Sequence, residues 1–490
     1  KPSAGNFNST DCSNQQQQRL AMAAATRSTT TTTTAVNSAG GGAPKAGRDH
    51  VVIFPFMAKG HTLPLLHFAT ALSEHHTSLS VTLLTTPGNA AFARSRLPAS
   101  VDLVELPFPT LPPLPAGVES TDALPCPSLY PAFLHATALL REPFAEFMAS
   151  LPSPPLVLVS DFFLGFTHRV ATNAGAPSCS TACPASPSAG AEPGALFHVP
   201  GMPEHVAITT EEIPDTVAKF ADPEDLVVRF IIDNIGDSDV RSWGVLVNSF
   251  ATLDEDYVAS LEAFYQPGAR AWLVGPMFLA AADTAELDEE QDPEGCLSGS
   301  TRELPNRDPW STFPHISDEQ LDEIAHGLVK SGHPFLWVVR TNTWVPPVDV
   351  GPNGLIVRGW VPQRSILAHK AMGGFVSHCG WNSVMESLAA GKPPEQPLNA
   401  KHIADIVGAG VRIHTKAGGM AAVDIVGRKE VEEKVNALMD ADSEVGKRMR
   451  AKATWAQQAA KSAVSEGGGS RVALQELVDE LQRTYDDTVV

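Results

Sequence analysis

The chain of 490 residues contains no run of about eighteen apolar residues, so no segment of it reads as a membrane-spanning helix. It is poor in cysteine. The six present (Cys12, Cys126, Cys179, Cys183, Cys296 and Cys379) are scattered and form no C-x-x-C pair. A disulfide-stapled secreted domain would be denser in cysteine, and a zinc site would pair its thiols at short spacing. Cys179 and Cys183 stand in a Ser/Pro-rich loop, and the plain reading is reduced thiols in a cytoplasmic protein. Positive charge is also short: 35 Lys and Arg against 55 Asp and Glu leave a formal net charge of −20. Such a surface repels a polyphosphate backbone and anionic lipid, which argues against nucleic-acid binding and membrane docking.

What is present is a globular composition, 43% hydrophobic, long enough for two or three domains. Residues 1–48 stand apart, with Gln, Thr and Gly runs and almost no large apolar side chains. They are expected to be disordered, because they bury too little surface to offset their ordering. Met22 reads like an ordinary N-terminus, so residues 1–21 are expected to lie outside the natural product. A transit peptide is the alternative.

From His50 onward, short apolar runs alternate with helical stretches. Val51 to Phe56 is a continuous run, as expected of a strand buried on both faces. A helix over Leu63 to Leu72 and a second strand over Leu79 to Leu84 follow. The rhythm recurs at Leu156–Val159 before Asp161, at Gly244–Val247 before Asn248, and at Ala271–Val274. In the second half, Ser317 to Gln320 reads as a capping box opening a helix through Val329. Strands are expected at Phe335–Val339, Leu355–Val357 and Phe375–Ser377. This βαβ pattern predicts an α/β fold in two halves. The proposed division is 1–48, 49–280, 281–470 and a C-terminal helix and tail at 471–490. In that last helix Val472, Leu474, Leu477, Val478 and Leu481 form an apolar stripe that needs a groove.

The stretch most informative about chemistry runs from Trp360 to Gln396. A strand ending at Ser377 is followed by His378-Cys379-Gly380-Trp381-Asn382-Ser383 and a helix expected over Val384 to Ala390. Free N–H groups and the positive dipole end at that helix start suit a diphosphate, with His378 and Ser383 as further donors. Other readings stay open on spacing alone. Ser383-x-x-Glu386 is itself a capping box, so Glu386 either satisfies a backbone N–H or binds a hydroxyl. Trp360 is either core or a stacking platform, and Glu395-Gln396 either grips sugar hydroxyls or is an ordinary polar loop pair.

Taken together, these residues resemble the signature segment of the plant family-1 uridine-diphosphate sugar transferases. The likeness extends to the Gly60-His61 turn, to Trp243 through Phe250 and to Phe335 through Arg340. It implies two Rossmann-like domains facing across a cleft, the GT-B architecture. It implies that Trp360 stacks on uracil, and that Val361 and Gln363 lie at the nucleoside. Glu386 would bind the ribose, while His378, Gly380, Asn382 and Ser383 would hold the diphosphate. Trp381, Glu395 and Gln396 would contact the sugar, and the glutamine at Gln396 points to UDP-glucose as donor. His61 would be the general base, oriented by Asp161, in an inverting transfer to a hydroxyl of a small lipophilic, flavonoid or other phenolic, acceptor. No metal or other cofactor is implied, and a monomer is expected. Asp237/Asp239, Asp254/Asp256 and Asp440/Asp442 read as solvated acids rather than a metal-binding triplet.

The chain also departs from that pattern. It is short between Ala182 and Phe197, between Cys296 and His315 (where no strand character is legible), after Arg340, and between Gly391 and Glu395. Such gaps suggest a damaged or mispredicted gene, or a splice form. For a chain real as written, the placement of Glu395 and Gln396 is in question and the expected activity is weak or absent. Two rivals remain: a non-catalytic nucleotide-sugar binder, and a nicotinamide-dependent oxidoreductase, for which no G-x-G-x-x-G follows the first strand.

Overall fold

The computed structural model describes residues 49–181, 196–198, 201–203, 206–209, 224–236, 240–280, 308–309, 317–339, 343–358, 361–377, 380–393, 401–413 and 425–489. The expectation for residues 1–48 therefore lies outside the described residues, as do Trp360, His378, Glu395 and Gln396.

Among the described residues of the first half the strands are β1 His50–Phe54, β2 Ser80–Thr85, β3 Val101–Glu105, β4 Val157–Ser160, β5 Ser178–Thr181, β6 Leu196–His198, β7 Ala207–Thr209, β8 Gly244–Val247 and β9 Arg270–Leu273. Seven of them form a sheet in the order β3-β2-β1-β4-β5-β8-β9, every pair parallel. The apolar runs are continuous because both faces are covered. Val51 and Ile53 enter one core with the Lys59–His75 helix, whereas Val52 and Phe54 enter another with the Tyr130–Ala138 and Arg141–Ser150 helices. β6 and β7 pair as an antiparallel ribbon, so the loop read between Ala182 and Phe197 ends in a strand. The second half carries β10 Asp308–Pro309, β11 Phe335–Val338 and β12 Gly354–Val357, parallel and in that order.

Several expectations are corrected here. The stretch read as lacking strand character contains β10, which pairs Asp308 with Trp337 and Pro309 with Val338. Proline is tolerated there because, among the described strands, β10 pairs on one side only, and an edge position needs no N–H on the other. Phe375 and Ser377 are buried, but the segment joins no ladder among the described residues. Phe375 N donates to Pro393 O at 3.1 Å, and Pro393 has no N–H to return. Ser317 caps the Asp318–Ser331 helix, its Oγ accepting from Gln320 N at 3.2 Å. The Gln320 side chain does not complete a box: it clamps Val426, donating to its O at 3.1 Å and accepting from its N at 2.7 Å.

The groove for the C-terminal helix, Gly469–Val489, belongs to the first half. Leu474, Leu477, Val478 and Leu481 are buried in the core that holds Val51, Val157 and Val159. Ser470 Oγ donates to Gly275 O at 2.6 Å, Arg270 pairs with Glu480 at 2.5 Å, and Gln482 Nε2 reaches Asp49 at 3.3 Å. Val472, expected in the stripe, is 43% exposed, because its register turns it away from the sheet.

Candidate active site

β1 sends the chain outward to β2 and β3 on one side, and β4 begins the run to β5, β8 and β9 on the other. The order thus reverses between β1 and β4, and ligands of open α/β sheets bind beyond the carboxyl ends of strands at such a point. Phe54 and Ser160, the last residues of β1 and β4, are register partners. Asp161 is the next residue, its N bonded to Phe54 O at 3.1 Å. His61 arrives from the other strand by a tight turn into a helix that begins at Lys59, four residues earlier than expected. Thr62 Oγ1 fixes the turn by donating to Phe56 O at 3.0 Å.

His61 and Asp161 meet, with Nδ1 and Oδ2 2.8 Å apart. The other carboxylate oxygen, Oδ1, accepts from Phe163 N at 3.0 Å, so the side chain cannot rotate freely. Asp161 is 3% exposed and the imidazole 33%. With a carboxylate facing Nδ1, that nitrogen carries the proton and Nε2 holds the lone pair. Burial lowers the pKa of His61, but attraction to Asp161 and the hydrogen bond to it outweigh that cost and leave it above the ordinary imidazole value. Tyr130, partly buried and beside the same carboxylate, is pushed up to about 12, chiefly by its loss of water. Three rings surround the imidazole: Phe163 at 5.5 Å, Phe56 at 5.6 Å and Phe162 at 6.0 Å between centroids. Phe162 and Phe163 are half-buried.

Across from this turn lies the helix Trp381–Ala389. It starts three residues earlier than expected. Gly380 is its N-cap and offers no side-chain bond, so among the described residues no capping side chain takes the first N–H groups, the feature that makes helix starts anion-binding. Ser383 therefore lies inside the helix, and the capping reading of Glu386 falls. Instead Glu386 Oε2 accepts from Gln363 Nε2 at 2.6 Å, and the same nitrogen lies 3.3 Å from Ser383 Oγ. Gln363, Ser383 and Glu386 thus form one polar cluster, beside a buried Val361 whose O accepts from Gln363 N at 2.9 Å.

The two sides touch. Asn382 Nδ2 donates to Gly60 O, one residue from His61. Sequence reading missed Asn248 as part of the site. Its backbone O accepts from Trp381 Nε1 at 2.8 Å, and its Nδ2 lies 3.4 Å from Asn382 Oδ1. The available signal was its position, a polar residue directly after a buried strand, as with Asp161. Asp254 is another correction, because it is not a solvated acid. It accepts from Ser249 Oγ and lies 3.0 Å from His402 Nε2, with its side chain 15% exposed. Asp256, Asp440 and Asp442 are exposed, and Asp237/Asp239 lie outside the described residues.

Comparison with known proteins identifies the family and the fold. Residues 49–279 match the glycosyltransferase N-terminal domain, and residues 311–442 match the family described as UDP-glucoronosyl and UDP-glucosyl transferase. UDP-glycosyltransferase 73B1 of Arabidopsis thaliana is 33% identical over 485 residues, covering 88% of this chain and 96% of that one. Flavonol 3-O-glucosyltransferase UGT89B1 of the same plant is 31% identical, covering 87% and 94%. Among solved structures, UGT73P12 of Glycyrrhiza uralensis, complexed with glycyrrhetinic acid 3-O-monoglucuronide, superposes with a TM-score of 0.74. It is 27% identical, covering 90% of this chain and 97% of that one. A likeness that spans both halves at this identity makes this protein a member of the plant UDP-glycosyltransferases, a glycosyltransferase of GT-B architecture.

Proposed function

We propose that the chain transfers glucose from UDP-glucose to a hydroxyl of a small lipophilic acceptor, flavonoid or phenolic in class, with inversion at the anomeric carbon. The observation that carries this reading is the 2.8 Å contact between His61 and the buried Asp161 at the switch point of the sheet. It leaves Nε2 as the nitrogen able to take a proton. In the reaction the acceptor oxygen forms a bond to the anomeric carbon as the bond from that carbon to the diphosphate breaks. The hydroxyl proton passes to His61 Nε2, and Asp161 stabilises the imidazolium. The uncapped N–H groups of Trp381, Asn382 and Ser383 receive the charge of the departing UDP.

Gln363 and Glu386 are assigned to the nucleoside, with Glu386 on the ribose hydroxyls. Trp360, His378, Glu395 and Gln396 complete the donor site by resemblance. Phe162 and Phe163 give the acceptor side an aromatic wall, which suits a planar phenolic ring. The chemistry needs no metal, because the helix start and the His61–Asp161 pair supply both electrostatic roles. The residue division given by the sequence reading, a cytoplasmic setting and a monomeric state complete the proposal.

The test is a transfer assay with the whole chain, UDP-glucose and a panel of flavonoids and simple phenols, the product anomer being read by NMR. A β-glucoside formed from the α-linked donor supports the reading. An α-glucoside refutes inversion, and UDP binding without transfer to any acceptor favours the non-catalytic binder.

A further inference from the structure

Pro64 is the sixth residue of the helix that carries His61. In an unbroken helix the carbonyl of Gly60 would accept from the amide four residues on, but that residue is Pro64, which has no N–H. Its ring also pushes the Gly60 carbonyl away from the helix axis. The acceptor so released is the one that takes the Asn382 amide from the opposite half. The orientation of that amide is itself set. Asn248 Nδ2 faces Asn382 Oδ1 at 3.4 Å, which leaves Asn382 Nδ2 for Gly60. Asn248 in turn is held by Met277 N, which donates to its Oδ1 at 2.9 Å. Its seat is tight, since a Cβ on Gly275 would come within 2.6 Å of both Asn248 Oδ1 and Ser249 N.

From this we propose that Pro64 and Asn248 are positioning residues of the transfer reaction. Pro64 frees the Gly60 carbonyl and Asn248 aims the Asn382 amide at it, so that the turn bearing His61 is fixed against the helix start facing it. The chain of contacts runs Met277–Asn248–Asn382–Gly60, and His61 is the next residue. Asn382 Nδ2 has two hydrogens. One is used on Gly60, and the second is left for a phosphate oxygen of the donor. A single amide thereby ties the position of the base to that of the leaving group. The inference rests on the proposed transfer for its meaning, but the contact itself is tested separately.

Pro64→Ala gives the Gly60 carbonyl a helical partner and removes a poor helix former, so a purely structural role predicts an equal or higher melting temperature and unchanged turnover. The latch predicts the same or higher melting temperature with kcat reduced roughly tenfold or more and donor KM nearly unchanged, because a small misplacement of the base slows chemistry. Asn248→Asp keeps the acceptor for Met277 N but presents an oxygen to Asn382 Oδ1. That turns the Asn382 amide over and away from Gly60. At saturating donor it is expected to lower kcat by a similar factor, and the double variant should be no slower than the slower single one. Wild-type turnover in Pro64→Ala, or additive losses, overturns the latch.

Hydrogen exchange on the same proteins reads the contact without catalysis. Asn248→Asp should raise uptake over residues 59–62 and leave β1 unchanged. Unaltered uptake there overturns the latch even if no acceptor is found, whereas a wild-type chain that transfers nothing overturns only the enzymatic reading.

Discussion

Asp161→Asn changes little in shape, yet it disturbs two bonds at once. Both carboxylate oxygens are in use, Oδ2 by His61 at 2.8 Å and Oδ1 by Phe163 N at 3.0 Å. An amide has one oxygen. If it stays on Phe163 N, the NH2 group faces Nδ1, drives the imidazole proton to Nε2 and removes the base. If it turns to His61, the Phe163 amide loses its partner and the charge opposite the imidazolium is still gone. For unit charges about 4 Å apart at an effective dielectric constant of about 20, the lost attraction is about 4 kcal/mol. The imidazole is 33% exposed, and solvent screening reduces this to about 2–3 kcal/mol.

At about 1.4 kcal/mol per tenfold, kcat should fall roughly 30- to 150-fold. The pH profile supplies a second reading. Asp161 holds the His61 pKa above the ordinary 6.5, so in the native chain the base form, and with it activity, appears only as pH rises through that raised value. Without the charge, burial dominates and the acid limb of kcat/KM moves to lower pH. The same linkage means the pair stabilises the fold fully below the ordinary imidazole value and loses that contribution as pH rises through the raised one. Steady-state kinetics between pH 5 and 9 checks both effects. A loss smaller than about threefold with an unmoved acid limb would refute the role given to Asp161.

His61→Ala should abolish transfer while leaving UDP affinity by titration calorimetry nearly unchanged, and a lost UDP affinity would contradict the role. Glu386→Ala should weaken UDP binding about tenfold by removing a charge-assisted acceptor. A change in melting temperature alone would return that residue to a structural role. Leu477→Ala, at a side chain 2% exposed in the first-half core, should cost about 2–4 kcal/mol in urea unfolding. An unmoved midpoint would show that the last helix does not dock there.

The sheet was legible where strands are apolar on both faces. β1, β2, β4, β8 and β9 were read within a residue or two from their runs. β3 and β5 were not. Val101–Glu105 alternates with acidic residues at the sheet edge, and Ser178–Thr181 offers no large side chain although it lies centrally. The starts of the two site helices were misplaced for one reason: local propensity argued against them. Lys59-Gly60-His61-Thr62 lacks apolar periodicity and precedes Pro64, and Ser383 looked like a better cap than Gly380. Side-chain contacts decided otherwise, a local one from Thr62 to Phe56 O and a tertiary one from Trp381 to Asn248 O. His61 and Asp161 were found by resemblance and by their places after strands, but their contact spans 100 residues and no local pattern encodes it.

The last helix also bears on how the protein is made. A ribosome delivers the first sheet early, and segments of this kind begin to organise as they emerge. Yet one wall of their interior is furnished by Leu474, Leu477, Val478 and Leu481, which are synthesised after the entire donor half. Until translation nears its end, the nascent sheet carries an uncovered greasy trough beside Val51 and Val157. A premature stop that spares every residue of the reaction centre would leave that trough open for good.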